Sequence, residues 1–411
     1  MSKCHAMPTH AHHQFIVHED SLEIGGIPLP RLAQRVGGTP FYAYERRCIN
    51  ERVAALRTAL PTGIQLHYAI KANPMTAVVQ MMSTLVDGLD VASGGELALA
   101  LDTALPPRGI SFAGPGKTDA ELLCAVAAGA LINLESAAQM ERTAIVGNRI
   151  GVTPRVAIRI NPDFELKYSG MKMGGARQFG VDEDCVPALL HRLGQLGLDF
   201  IGFHIFSGSQ NLSAPAICEA QKQSVQLGLR MALHAPAPMR LLNIGGGFGV
   251  PYFPGQMPLD IAPIGEGLED LMCHLRCESP QTQLALELGR YLVSEAGIYV
   301  CRVLERKVSH GQVFLITDGG LHHHLAASGN FGQVVRKNYP VAIGNRMRSG
   351  ARETVSVVGS LCTPLDLLAD QMEMAKAEVG DLVVIFQSGA YGPSASPGAF
   401  LRHPAALEVL V

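Results

Sequence analysis

Ile64-Gln65-Leu66-His67-Tyr68-Ala69-Ile70-Lys71-Ala72-Asn73-Pro74 reveals the fold by its spacing. Ile64, Leu66, Tyr68 and Ile70 alternate with Gln65, His67, Ala69 and Lys71, the two-residue period of a β-strand that Asn73-Pro74 closes. Lys71 therefore stands at a strand's C-terminal end. Upstream, Ile49, Val53, Leu56 and Leu60 form the apolar stripe of an amphipathic helix over 46–60. Downstream, helical stretches alternate with short strands at 88–92, 110–113, 130–134, 156–160, 200–206, 241–244 and 284–287. With the first, these make eight strands, the signature of an α/β protein built as a (β/α)8 TIM barrel. A doubly wound sheet is the alternative arrangement of such units, but no G-x-G-x-x-G follows the first strand.

Barrel chemistry gathers at the C-terminal ends of the strands. The residues at or just past those ends are Lys71, Asp90, Gly114, Glu135, Arg159, His204 or Phe206, Gly245-Gly246-Gly247 and Glu287. From about residue 296 the helical period disappears, and 298–308, 312–316, 354–358 and 382–386 read as strands of a second, mainly β domain. The strand-like stretches 15–17 and 22–27 precede the first barrel helix and are predicted to join that domain. The expected division is a barrel over 41–295 and a β domain built from 1–40 and 296–411.

Composition narrows the function. Over 411 residues, 33 Lys+Arg against 36 Asp+Glu give a net charge of −3, so no basic field awaits nucleic acid or an anionic membrane. The longest apolar run, 122–132, is about half of a membrane span. His5, His10, His12 and His13 near the start, with no apolar segment among them, do not resemble a secretory signal, and a cytoplasmic location is expected. Nine cysteines scattered from Cys4 to Cys362 do not form a disulfide framework, so reduced thiols are expected. No metal is expected either. Cys273, His274 and Cys277 lack a second ligand pair at comparable spacing. On a strand, His322-His323-His324 would point to opposite faces, and the run reads as a polar loop near a pocket.

The run Ile244-Gly245-Gly246-Gly247-Phe248-Gly249 follows the seventh strand, and a backbone without side chains can turn several N–H groups toward a phosphate. A lysine nucleophile and a phosphate cradle in one barrel mouth suit an aldehyde cofactor that carries phosphate. Pyridoxal phosphate fits that description.

Seven segments in order strengthen this reading: 67–73 (HYAIKAN), 90–96 (DVASGGE), 208–210 (GSQ), 245–247 (GGG), 287–290 (ELGR), Cys362 with Asp366, and 389–392 (GAYG). Together they resemble the ordered motifs of the fold-type III pyridoxal-phosphate decarboxylases, which include diaminopimelate, ornithine and arginine decarboxylases. The resemblance runs from about residue 40 to the C-terminus and is nearest to a diaminopimelate-decarboxylase-like branch associated with exosortase and exopolysaccharide systems. It implies an alanine-racemase-type barrel with a β domain, a homodimer with shared active sites, and pyridoxal 5'-phosphate bound covalently through Lys71. Gly245, Gly246 and Gly247 with Ser209, Arg290 and Tyr391 would hold the phosphate. Asp90, Arg159 and Gly289 would line the cofactor, and Glu287 would face the pyridine nitrogen. Racemases of the same fold place an arginine there, so Glu287 favours decarboxylation. Cys362 would reach the partner subunit's site and help protonate the α-carbon, while Arg290, Thr363, Asp366 and Tyr391 would meet the substrate.

Two departures bear on the substrate. The family's diamino-acid decarboxylases carry an acid after the cysteine, paired with the substrate's distal ammonium; here it is Thr363. Losing one member of a buried charge pair costs about 3–5 kcal/mol, so diaminopimelate, ornithine and lysine are not expected to be the best substrates unless Asp366 or Glu353 supplies the charge. In Gly202-Phe203-His204-Ile205-Phe206-Ser207-Gly208, register places Phe206 where the family stacks a histidine on the cofactor, with His204 behind it; both assignments remain open. The expected activity is decarboxylation of an amino acid, or of a carrier-linked derivative, without a distal ammonium. The alternatives are a racemase or epimerase on this scaffold, diaminopimelate decarboxylase itself, and a non-catalytic cofactor carrier.

Overall fold

The computed structural model describes residues 14–167, 171–172, 175–331, 333 and 335–411; Cys4, His5, His10, His12 and His13 lie outside the described residues. The chain divides into two compact units. One takes Val53–Val250 and Pro258–Tyr291, and the other takes the N-terminal segment up to Arg52, Pro251–Met257 and Leu292–Val411.

The first unit is the barrel. Its strands are β1 (Gln65–Ala69), β2 (Gly88–Val91), β3 (Ile110–Phe112), β4 (Leu131–Leu134), β5 (Arg155–Asn161), β6 (Asp199–Ile205), β7 (Leu241–Gly246) and β8 (Gln283–Leu288). Each pairs in parallel with the next, and β8 pairs with β1, closing the ring. All eight expected strands are present, displaced by no more than a residue or two. Parallel strands are joined by helices, and three of these begin at once on capped N-termini. Ser93, Thr118 and Ser136 accept the N–H groups of Glu96, Glu121 and Gln139, contacts that stabilise a helix start by about 1 kcal/mol each.

Register decides which side chains share the barrel's interior. Ala69 pairs with Asp90, Glu287 with His67, Gly246 with Glu287, and His204 with both Arg159 and Asn243. Paired residues on neighbouring strands point to the same face, and residues two apart on one strand do likewise. His67, Asp90, Arg159, His204, Asn243 and Glu287 therefore form one inward-facing polar set. Leu66 and Tyr68, on the opposite face of β1, are fully buried.

The second unit is mainly β and includes the N-terminal strands, as expected. Its long strand Gly297–Ser309 pairs antiparallel with Gln312–Thr317, Leu382–Ile385 and Phe41–Tyr44. Arg352–Val358 and Leu367–Ala375 extend the sheet, and Leu407–Leu410 runs parallel to Phe41–Tyr44. Phe41–Tyr44 lies in the stretch that sequence patterning assigned to the barrel. Its hydrogen-bond partners, distant in sequence, place it here instead. Ile16–His18, Ser21–Ile24 and Ile27–Pro28 form a separate three-stranded sheet, tied to this unit by the Leu22 N–H donating to the Gly344 carbonyl at 2.8 Å. Among the described residues, no helix is long and apolar enough to cross a membrane.

Candidate active site

β1 ends at Ala69, and Ile70–Ala72 turns through a single 3-10 helix that lifts Lys71 off the strand. The Tyr68 hydroxyl donates to the Asn73 carbonyl at 2.9 Å and pins this turn from below. Gly289 packs beneath it: a Cβ there would lie 2.9 Å from the Ala72 Cβ and 3.2 Å from the Ala69 carbonyl oxygen. Lys71 Nζ stands 3.4 Å from Glu287 Oε1 at the end of β8. His204 Nε2 lies 3.0 Å from Glu287 Oε2, and the Phe206 ring centroid is 5.8 Å from Lys71 Nζ. Behind them, the buried His67 Nδ1 sits 3.2 Å from Asp90 Oδ2.

These contacts set the charges. Burial alone would raise the Glu287 pKa, but Lys71, the His204 contact and Arg159 outweigh it and hold the carboxyl well below its ordinary range. Burial works against a charged His67, yet Asp90 and the more distant Glu287 raise its pKa above 6.5. A group whose folded pKa exceeds its unfolded value stabilises the fold fully below the unfolded pKa and loses that contribution as pH rises through the folded one. Unfolding free energy is thus expected to fall as pH climbs above about 6.5, and a His67→Gln variant should show a shallower fall in urea titrations between pH 6 and 9. Equal slopes would show that the pair does not exist as an ion pair.

A second polar group fixes Arg159. Glu135 Oε1 accepts from Arg159 Nη1 at 3.0 Å and from the Gly114 N–H at 2.5 Å, while its Oε2 accepts from the Gly180 N–H at 3.1 Å. Burial opposes the Glu135 charge, but Arg159 and Lys117 keep its pKa low. Lys117, itself buried, donates to the Gly114 and Asn133 carbonyls, and burial lowers its pKa to about 8.

The glycine run after β7 is closely hemmed in. Gly245 and Gly247 adopt φ of +67° and +76°, conformations that L side chains rarely take. A Cβ on Gly246 would fall 2.5 Å from the Glu287 carbonyl oxygen, and one on Gly247 would fall 2.9 Å from the Gly208 carbonyl oxygen. Gly208–Ser209 thus approaches the run, held by its pairing with Met171–Lys172. Arg290 opens the short helix Arg290–Val293 just past β8.

A family described as "Pyridoxal-dependent decarboxylase, pyridoxal binding domain" matches residues 46–294. The L-glutamyl-(BtrI acyl-carrier protein) decarboxylase of Niallia circulans is 41% identical over 379 residues, covering 90% of this chain and 88% of its own. The chain belongs to the pyridoxal-dependent decarboxylases. The diaminopimelate decarboxylase of Aquifex aeolicus is 32% identical over 397 residues, covering 96% of this chain and 91% of its own. A crystal structure of an Aquifex aeolicus protein superposes with a TM-score of 0.84 at 30% identity, covering 97% of this chain and 92% of that one. Carbon–carbon lyase chemistry, the leading expectation, is therefore the chain's class, and racemisation is not favoured.

The barrel mouth of this pyridoxal-dependent decarboxylase suits such a cofactor. A lysine amine, a glycine run whose backbone carries no side chain and takes positive φ at Gly245 and Gly247, and the buried Glu287 Oε2, with no donor in hydrogen-bond geometry, all belong to the same strand ends. Three further side chains at or behind this mouth were assigned no role in the sequence. Glu96 accepts from the Ala92 N–H at 2.7 Å and is held above its ordinary pKa by burial, with Lys71 opposing. In the sequence it stood only as the last residue of the segment 90–96. Glu135 was visible as a strand end, and His67 as the first residue of the segment 67–73, but their partners come from other strands.

The remaining expected site residues belong to the β unit. Cys362 is exposed in the turn between Arg352–Val358 and Leu367–Ala375. Thr363 Oγ1 accepts from the Leu365 N–H at 3.3 Å. Tyr391 has φ of +54°, and its ring centroid lies 6.4 Å from that of Phe331. Asp366 does not present a free carboxylate, as the substrate assignment had anticipated. It is 3% exposed and accepts the Leu321 and Leu361 N–H groups at 2.6 and 2.8 Å, folding its own turn back on itself. His322, His323 and His324 lie in a turn, as the loop reading expected, but are buried there: His323 Nε2 faces the Pro404 carbonyl at 2.8 Å and His324 Nε2 faces Ser388 Oγ at 2.9 Å. Aromatic neighbours Tyr42, Tyr299 and Tyr339 enclose them. Among the described residues no three His, Cys, Asp or Glu side chains gather as a metal ion would require.

Proposed function

We propose that this enzyme binds pyridoxal 5'-phosphate through Lys71 and decarboxylates an amino-acid unit whose side chain ends in an acyl linkage rather than an ammonium. The observation that carries the substrate class is the absence of an available carboxylate around Thr363. Asp366 is committed to two backbone N–H groups, and Glu353 accepts from Arg306 at 2.6 Å. Nothing in that turn is left to pair with a distal ammonium, and a cation brought there would lose hydration without compensation. A glutamyl group on an acyl-carrier protein, the substrate for which the Niallia circulans relative is named, has the required chemistry.

Pyridoxal phosphate supplies an aldehyde that captures amines and a protonated ring that accepts the electron pair left when CO2 departs. Lys71 would hold the group through its amine, which the substrate amine would displace. Glu287, kept ionised by Lys71 and His204, would favour a proton on the ring nitrogen of the bound group. His204 braces that carboxylate, and Phe206 shields the amine of Lys71 with an apolar face. The backbone of Gly245, Gly246 and Gly247 with Ser209 and Arg290 would receive the phosphate, and Asp90 and Arg159 would line the ring. Cys362 delivers the proton that replaces CO2 on the α-carbon.

Assay of CO2 release over a panel of free amino acids and carrier-linked acyl amino acids tests the substrate class; a clear preference for diaminopimelate would overturn it. Thr363→Asp is expected to raise kcat/KM for diaminopimelate by roughly 10- to 100-fold, the worth of one charged hydrogen bond. The proposed active assembly is a homodimer in which Cys362 serves the partner's Lys71. Mixing inactive Lys71→Ala and Cys362→Ala proteins should then regenerate about a quarter of wild-type activity, since half the reassorted dimers hold one intact site of two. No recovery after confirmed subunit exchange would place Cys362 elsewhere.

A further inference from the structure

The barrel has a second mouth. At the N-terminal ends of its strands lies a cavity of about 330 Å³ whose lining includes Gln65, His67, Arg108, Ser111, Arg155 and Arg240. Strands of three to seven residues run from it to the catalytic ends, and His67, midway along β1, reaches its floor. Its charges do not balance. The lining carboxylate, Asp87, accepts from Arg57 at 2.7 Å and from the Leu66 N–H at 2.8 Å. Arg240 is paired with Asp199 and donates to the Phe200 carbonyl. Among the described residues, neither Arg108 nor Arg155 has a carboxylate in ion-pair contact.

Arg155 has an anchoring task, since one terminal nitrogen donates to the Arg108 and Gly129 carbonyls at 3.1 Å each. That task uses only part of its fork of five N–H donors. Residues at the bottom of a barrel usually serve stability, and a single anchoring arginine would need no further account. Three guanidinium groups around one concavity are different, because their mutual repulsion opposes folding. Burial first, then the charges of Arg108 and Arg240, lower the Arg155 pKa, with Asp199 opposing. A bound anion would relieve that repulsion, and a guanidinium fork matches the oxygens of carboxylate or phosphate.

We propose that this cavity binds a compact multivalent oxyanion, a phosphate or a polycarboxylate, through Arg108 and Arg155, with Arg240 and Ser111 at its rim. The site is independent of the glycine cradle and of the substrate proposed above. The test uses the full chain with saturating pyridoxal phosphate, so that the cradle is already filled. Citrate, inorganic phosphate and sulfate are titrated at constant ionic strength against chloride, with calorimetry and the unfolding midpoint as readouts. Saturable binding and a raised midpoint are expected in the wild type. Arg108→Gln should weaken binding about tenfold, the loss of a charged hydrogen-bond donor, and Arg108→Glu should abolish it. The Arg108 side chain is exposed, and its carbonyl, which Arg155 uses, is kept in both variants; relief of the repulsion should therefore leave the anion-free midpoint at or above that of the wild type. Absence of saturable binding in the wild type, or equal binding in Arg108→Glu, would overturn the proposal. Citrate against inorganic phosphate separates the two ligand sources.

Discussion

Lys71→Ala is expected to reduce CO2 release by on the order of 10^4-fold or more, the scale seen when a covalent nucleophile is removed from a working site. Lys117, a second lysine near these strand ends, cannot take its place. Its ammonium is buried and donates to the Gly114 and Asn133 carbonyls, and moving it would leave both without a partner. Lys71 stands on a short turn braced by Tyr68 and Gly289, with its side chain about half exposed and its amine 3.4 Å from Glu287. The variant should still fold, with a somewhat lower unfolding midpoint, because the buried Glu287 loses the first of the charges that keep it ionised. Two measurements follow on the same protein. The absorbance band of bound pyridoxal phosphate should shift to that of the free aldehyde, and a small primary amine added to the assay should restore part of the rate. Retention of more than about a tenth of wild-type turnover would remove Lys71 from the chemistry.

The barrel and its mouth were legible for a specific physical reason. In a closed parallel barrel both strand faces are enclosed, so the alternation in 64–71 separates residues facing the axis from residues facing the helices, not core from solvent. Leu66 and Tyr68 face the helices, and His67 and Ala69 face the axis. Once the strand ends were placed, Lys71, Asp90, Arg159 and Glu287 followed from topology alone. What did not follow was pairing. That Glu135 clamps Arg159, or that His67 charges against Asp90, depends on which strands neighbour one another and on register to the single residue. The assignments that needed correction share this cause. Asp366 lies three residues from Thr363, yet the turn folds it inward to cap Leu321 and Leu361. His322 to His324 look polar in sequence and are buried only because Tyr42, Tyr299 and Tyr339 arrive from three distant segments. Phe41–Tyr44 carries an apolar run that suits either unit, and hydrogen bonds to Gly297–Ser309 decide between them.

Glu287→Gln is expected to lower kcat by roughly 10^2- to 10^3-fold, the loss seen when one preorganised electrostatic partner is removed from a buried site. The substitution keeps the shape of the side chain and removes its charge, so it separates electrostatics from packing. In the wild type, Lys71 lies 3.4 Å from Oε1 and His204 lies 3.0 Å from Oε2, which keeps the carboxylate ionised despite burial. An amide at this position cannot hold a proton on a facing nitrogen, and the electron demand of the ring falls with it. The same change alters stability with pH in a defined direction. A carboxyl whose folded pKa is depressed stabilises the fold above its unfolded value of 4.5 and loses that contribution as pH falls below it. Wild-type unfolding free energy should therefore decline on acidification, and Glu287→Gln should decline less over the same range. Kinetics and urea titration then read one cause twice. A variant with less than a tenfold loss of kcat, or with the wild-type acid slope intact, would show that Glu287 is not held as the charged partner of the ring.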